Sequence, residues 1–116
     1  MYKLFPILIG LFLMGCVQPT YKQKVIFQLN ASDLNGSKTL GVRGNDSPLS
    51  WEKDYPLREV IKDSIYEATV VFYTGYAFTE FKFTIDGNFE LQNEDNRRVY
   101  FNKKHTTYIK ASFNRR

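Results

Sequence analysis

The stretch from Tyr76 to Asp86, YAFTEFKFTID, alternates apolar and polar side chains, and that period of two constrains the fold more than any other feature of the chain. An extended chain points successive side chains to opposite faces. Thr79, Phe81, Phe83 and Ile85 therefore share an inward face, and Glu80, Lys82 and Thr84 an outward one. Asp86-Gly87-Asn88 follows at once, a tight hairpin signal of the Asp-Gly kind. The same alternation recurs along the chain. Val25, Phe27 and Leu29 are in phase within Lys24–Asn30; Leu40 and Val42 within Lys38–Arg43; Tyr66, Ala68, Val70 and Phe72 in the run after Ser64. Phe89–Gln92 reads as a short strand, Arg97–Asn102 as another with Val99 and Phe101 in phase. His105–Phe113 closes the chain with Thr107, Ile109, Ala111 and Phe113 in phase. Leu57–Asp63 reads as mostly loop. About seven short strands, regular turn signals and no amphipathic helix predict an all-β antiparallel sandwich. Its expected core is Phe27, Val42, Val70, Phe81, Phe83, Ile85, Val99 and Ile109.

The amino terminus follows a different rule. Residues 1–15, MYKLFPILIGLFLMG, carry one cation, Lys3, and then an apolar run too short to span a bilayer. Leu13-Met14-Gly15-Cys16 resembles the lipobox of bacterial lipoproteins. By that resemblance the chain is cut before Cys16, whose thiol carries the lipid, and residues 16–23 form a short tether to a domain spanning 24–116. Several acyl chains on one residue give stable anchoring. Val17 rather than an aspartate after the cysteine implies sorting to the outer membrane of the bacterial cell envelope. Cys16 is the only cysteine, so this reading leaves no disulfide in the mature domain. Without Lys3, fifteen basic side chains face twelve acidic ones, a net +3. That balance is mild and the basic residues are scattered, which argues against nucleic acid. The pairs Arg97/Arg98, Lys103/Lys104 and Arg115/Arg116 read as solvated faces or as contacts with anionic head groups.

Catalytic chemistry is sparsely supplied. His105 is the single histidine and lies beside Lys103 and Lys104. No G-x-S-x-G or H-E-x-x-H motif is present. One histidine does not make a zinc site without a set of carboxylates, and Asp33, Asp46 and Asp54 lack calcium-loop spacing. Neither an enzyme, a metal nor a cofactor is expected.

The polar loop after Val42 carries the most informative side chain. Gly44, Asn45, Asp46, Ser47 and Pro48 supply turn chemistry, and the sole tryptophan, Trp51, emerges among Ser50, Glu52, Lys53 and Asp54. A large ring in such a setting is either a binding surface or a lid folded over one end of the core.

Six short pieces, in order, widen this picture: Val25-Ile26-Phe27, Val42-Arg43-Gly44, Ser47-Pro48-Leu49-Ser50-Trp51, Ile65-Tyr66-Glu67, Phe81-Lys82-Phe83 and Asn96-Arg97. Together, over Val25 to Phe113, they resemble the starch-binding domain family of carbohydrate-binding modules. The resemblance implies an immunoglobulin-like β-sandwich and a shallow sugar platform, in which two tryptophans stack on adjacent glucose rings while a lysine and an asparagine bond the hydroxyls. Trp51 matches the first tryptophan, Lys82 the lysine and Asn96 the asparagine. In place of the family's second tryptophan-glutamate pair stands Phe89-Glu90, or Leu91-Gln92 if the intervening loop is not lengthened. Without the resemblance, Lys82 reads as a solvated strand lysine, and Asn96-Arg97 as a turn cap with an ion pair.

Two functions follow as expectations. One is a lipid-anchored module that binds starch or glycogen-like α-glucan, as polysaccharide or oligosaccharide, without catalysis. The alternative is a structural or protein-interaction sandwich lipoprotein that has lost the sugar site. A third reading is the amino-terminal module of a hydrolase whose catalytic part is encoded separately.

Overall fold

The structure is a computed structural model that describes residues 19–36, 38–102 and 104–116. Its strands are β1 (Tyr21–Asn30), β2 (Leu40–Gly44), β3 (Tyr55–Pro56), β4 (Arg58–Ile61), β5 (Ile65–Thr74), β6 (Phe78–Ile85), β7 (Asn88–Phe89), β8 (Arg97–Tyr100) and β9 (Thr107–Ser112). They form two sheets, β4-β5-β1-β9 and β3-β2-β6 with β7 and β8 both on β6. The chain is thus an all-β sandwich. Nine strands appear because Tyr55–Pro56 pairs with β2 and Arg58–Ile61 pairs with β5. Arg58–Ile61, expected to be mostly loop, is an edge strand exposed along its length. With no buried face it has no alternation to betray it. All pairings are antiparallel except β1 with β9, where Val25 to Asn30 run beside Thr107 to Ser112 in the same direction. Alternation reports which face a residue occupies and not the direction of its neighbour, so this parallel pair is silent in the sequence.

The inward faces meet as the spacing predicts. Val25, Phe27, Leu29, Val42, Val70, Phe72, Phe81, Phe83 and Val99 are buried. Ile85 and Ile109 are only partly buried and pack against this cluster from the side. Phe27 stands edge-on to Phe81 and Phe83, with centroids 4.9 and 6.3 Å apart, the arrangement aromatic quadrupoles favour. The Asp86-Gly87 hairpin forms as expected: Ile85 faces Asn88, and both turn residues have positive φ, 49° and 82°.

One irregularity builds the outer surface. β2 occupies one edge of β6, so β7 and β8 lie one after the other along its other edge. Between them residues 90–96 leave the sheet and return. The excursion is tight, with Leu91 and Asn93 at φ 48° and 65°. The Glu90 N–H still reaches the Phe83 carbonyl at 3.0 Å, but the Phe83 N–H has no backbone partner across the excursion, and two side chains tie the excursion back. The Phe83 N–H donates to the Glu90 carboxylate at 2.9 Å, and the Lys82 ammonium donates to the carbonyls of Leu91 and Glu94 at 2.9 and 3.0 Å.

Candidate functional site

The loop between β2 and β3 carries Trp51 and is pinned from below. Leu49 is buried in the core cluster, and the Thr79 hydroxyl bonds Asp46. At the far end, Asp54 accepts hydrogen bonds from Arg43 and from the Thr84 hydroxyl, each at 2.7 Å. Gly41 allows this approach: a Cβ there would lie 2.7 Å from the Asp54 carboxyl carbon. Arg43 also donates to the Trp51 carbonyl at 3.2 Å and places its guanidinium 5.2 Å from the centre of the Phe89 ring. The indole N–H donates to the Asn45 side chain at 3.2 Å. Trp51 is half-buried and stands outside the core cluster.

Trp51 and Phe89 are neighbours, with ring centroids 6.0 Å apart and planes inclined by 60°. They make an angled corner rather than a flat platform. Together with Lys82, Gln92, Asn93 and Asn96 they line one open cleft of about 380 Å³ on the outer face of the β6 sheet. The sequence-predicted residues Trp51, Lys82, Phe89 and Asn96 are therefore brought together. Phe89 lies beside Trp51, whereas Leu91 is buried.

Two expectations change in detail. Glu90 does not line the cleft. Alternation turns it inward from Phe89, and it is 1% exposed. Its carboxylate takes Arg97 at 2.6 and 2.8 Å and the backbone N–H groups of Phe83 and Asn114 at 2.9 and 3.0 Å, so its acceptor capacity is consumed within the fold. Lys82 does point to the outer face, yet it is 9% exposed because the 90–96 excursion folds over its stem. Two of its three protons serve carbonyls, leaving one for a ligand.

Asn96 is held from the side. Its amide donates to Glu80 at 3.0 Å, and Arg98 donates to the other oxygen of that carboxylate at 3.2 Å. The Asn96 bond, with Arg98 nearby, holds the Glu80 carboxyl below the usual carboxylate range. The Asn96 carbonyl oxygen has no part in this bond.

Sequence reasoning gave no site role to Arg43, Asn45 or Asn93, and offered Gln92 only in the alternative pair with Leu91. Arg43 had a signal, since it alternates with the inward Val42 and so faces outward beside Lys82, its register partner. The three amides carry no periodic signal. Cys16 lies outside the described residues. Among the described residues, no three His, Cys, Asp or Glu side chains converge as a metal-binding group. Comparison with protein-family models and with curated proteins gives no match.

Proposed function

We propose that this chain is a non-catalytic carbohydrate-binding module that holds α-1,4-glucan, starch- or glycogen-like, at the Trp51–Phe89 corner, and that Cys16 anchors it by lipid to the bacterial outer membrane. The observation that carries the reading is the convergence of Trp51, Lys82, Phe89 and Asn96 from distant parts of the sequence onto one cleft. The chemistry suits a sugar. Aromatic faces cover the C–H faces of pyranose rings, and an amide-rich rim meets the hydroxyls. Consecutive residues of an α-1,4-glucan are inclined to one another, whereas cellulose is a flat ribbon. Rings at 60° fit the former better.

Isothermal titration with maltoheptaose tests the sugar site. Wild type should bind weakly and with little dependence on salt, because the ligand is neutral. Trp51→Ala should weaken binding roughly tenfold, the worth of one aromatic contact of about 1–2 kcal/mol. No heat at millimolar sugar, together with a large loss of stability in Trp51→Ala, would replace this reading with a structural or interaction sandwich. The commitment of Lys82 to two carbonyls is the observation that favours that second reading. Metabolic labelling with a fatty-acid analogue tests the anchor; label on wild type and none on Cys16→Ser is the expected result.

A further inference from the structure

We propose that the outer face of the β4-β5-β1-β9 sheet, at the end where β1 begins, rests on an anionic bilayer surface and so turns the sugar cleft away from it. This rests on the lipid anchor in the reading above. Pro19 lies against Gly75 in the β5–β6 turn, its carbonyl oxygen 2.7 Å from where a Cβ on Gly75 would stand. Only Val17 and Gln18 separate Pro19 from Cys16, three steps of extended chain that reach at most about 10–11 Å. A lipid on Cys16 therefore brings this end of the sandwich to the membrane.

The chemistry of that end is suited to it. Lys22 and Lys24 alternate with the buried Gln23 and Val25 and so project from the outer face. Lys22 stands opposite Tyr73 on β5, and Ile26 stands beside Tyr108 on β9. Lys22, Lys24, Lys104, His105 and Tyr108 share one shallow depression whose lining contains no carboxylate. Tyr73 and Tyr108 are 70% and 64% exposed on this face. Tyrosine prefers the membrane–water interface, where its ring meets acyl carbon and its hydroxyl stays wet. Lysines extend their stems along the same boundary and keep the ammonium at the phosphates. The Trp51–Phe89 cleft is on the outer face of the opposite sheet, so a domain seated this way keeps the cleft in water.

The test uses the full-length chain and two vesicle preparations, phosphatidylcholine alone and phosphatidylcholine with phosphatidylglycerol. Any anchor or apolar leader partitions into both, so the ratio of the two isolates the charged face. Wild type should favour the phosphatidylglycerol vesicles, and salt should erase the preference. Lys22→Gln/Lys24→Gln should lower it roughly 25-fold, about fivefold per lysine, without altering the thermal unfolding of these exposed positions. Brominated lipid should quench a Tyr73→Trp probe in a Trp51→Phe background and leave native Trp51 bright. Equal partition of wild type onto both vesicles, or quenching of Trp51 instead of the probe, overturns the proposal. So does a wild-type dimer broken by Tyr108→Lys with no lipid preference, which would assign the face to a second copy. Fatty-acid labelling of the same preparations is scored separately. Unlabelled protein that still prefers phosphatidylglycerol supports the face and removes only the anchor.

Discussion

Glu90 and Arg97 close the neck of the excursion between β7 and β8, with Nε to Oε2 at 2.6 Å and Nη2 to Oε1 at 2.8 Å. The residues just before them, Phe89 and Asn96, face the other way and line the cleft. Strand alternation makes the inward ion pair a spacer for the outward pair. The Arg97 guanidinium also bonds the carbonyls of Ser112 and Arg115 and lies 5.6 Å from the Phe83 ring centre, so the clamp ties the chain end to the core.

Breaking that clamp from one side should be costly. Glu90→Gln leaves Arg97, whose side chain is 13% exposed, without its counter-charge. Loss of one partner of a buried pair typically costs 3–5 kcal/mol. Urea unfolding of Glu90→Gln should show a loss of about that size. The double variant Glu90→Gln/Arg97→Met should lose less than the two single variants added together, because the second change removes the stranded charge.

Lys82→Ala should separate the lysine's two duties. Its stem is covered and its ammonium bonds the Leu91 and Glu94 carbonyls. The bond to Leu91 is buried and the bond to Glu94 partly so, and the loss should fall in the range for charged hydrogen bonds, about 1.5–3 kcal/mol. Trp51→Ala should lose less, since Trp51 stands outside the core cluster. Both variants should bind maltoheptaose more weakly. Stability of Lys82→Ala equal to wild type would mean the 90–96 excursion holds itself without the lysine.

Phe83 lies at the centre of the aromatic cluster, fully buried and in contact with Phe27 and Phe81. Phe83→Ala should cost about 3–5 kcal/mol, the usual range for a large buried ring. Chemical denaturation followed by circular dichroism reads it directly.

Period two made the core legible, because the buried face of β6 is also its apolar face. It failed where burial and polarity part. Lys82 and Thr84 are buried polar residues whose partners come from loops, Glu90 is buried from within such a loop against β6 and β8, and no local pattern announces a loop that folds over a sheet. The edge strand β4 hides for the converse reason, being apolar at Val60 and Ile61 yet exposed. The cleft was legible as a set of residues through Trp51, Lys82, Phe89 and Asn96. Its 60° corner was not, because ring inclination depends on Arg43 and Asp54 holding the loop. Glu90 was read into the site as the acid of the Phe89-Glu90 pair, although alternation alone already sends the two in opposite directions.

The Glu80–Asn96 bond sets the pH response of the cleft. The folded chain holds the Glu80 carboxyl below its ordinary value of 4.5, chiefly through the Asn96 amide. A lowered folded value contributes stability that is present above the ordinary value and lost as pH falls through the lowered one. Down to about pH 4.5 the carboxylate stays ionised, and Asn96 stays oriented toward the cleft. Below that, protonation removes the charge that strengthens the amide bond, and Asn96 is freed to turn. Maltoheptaose carries no titratable group, so any pH effect on its binding comes from the protein. Affinity should be flat from pH 7 to about 4.5 and decline only at lower pH, while far-ultraviolet dichroism still reports the folded sandwich. Glu80→Gln should bind more weakly at pH 7 and show a smaller decline in acid. A wild-type affinity that falls between pH 7 and 5, or a Glu80→Gln variant with the same acid decline as wild type, would detach Asn96 from this control.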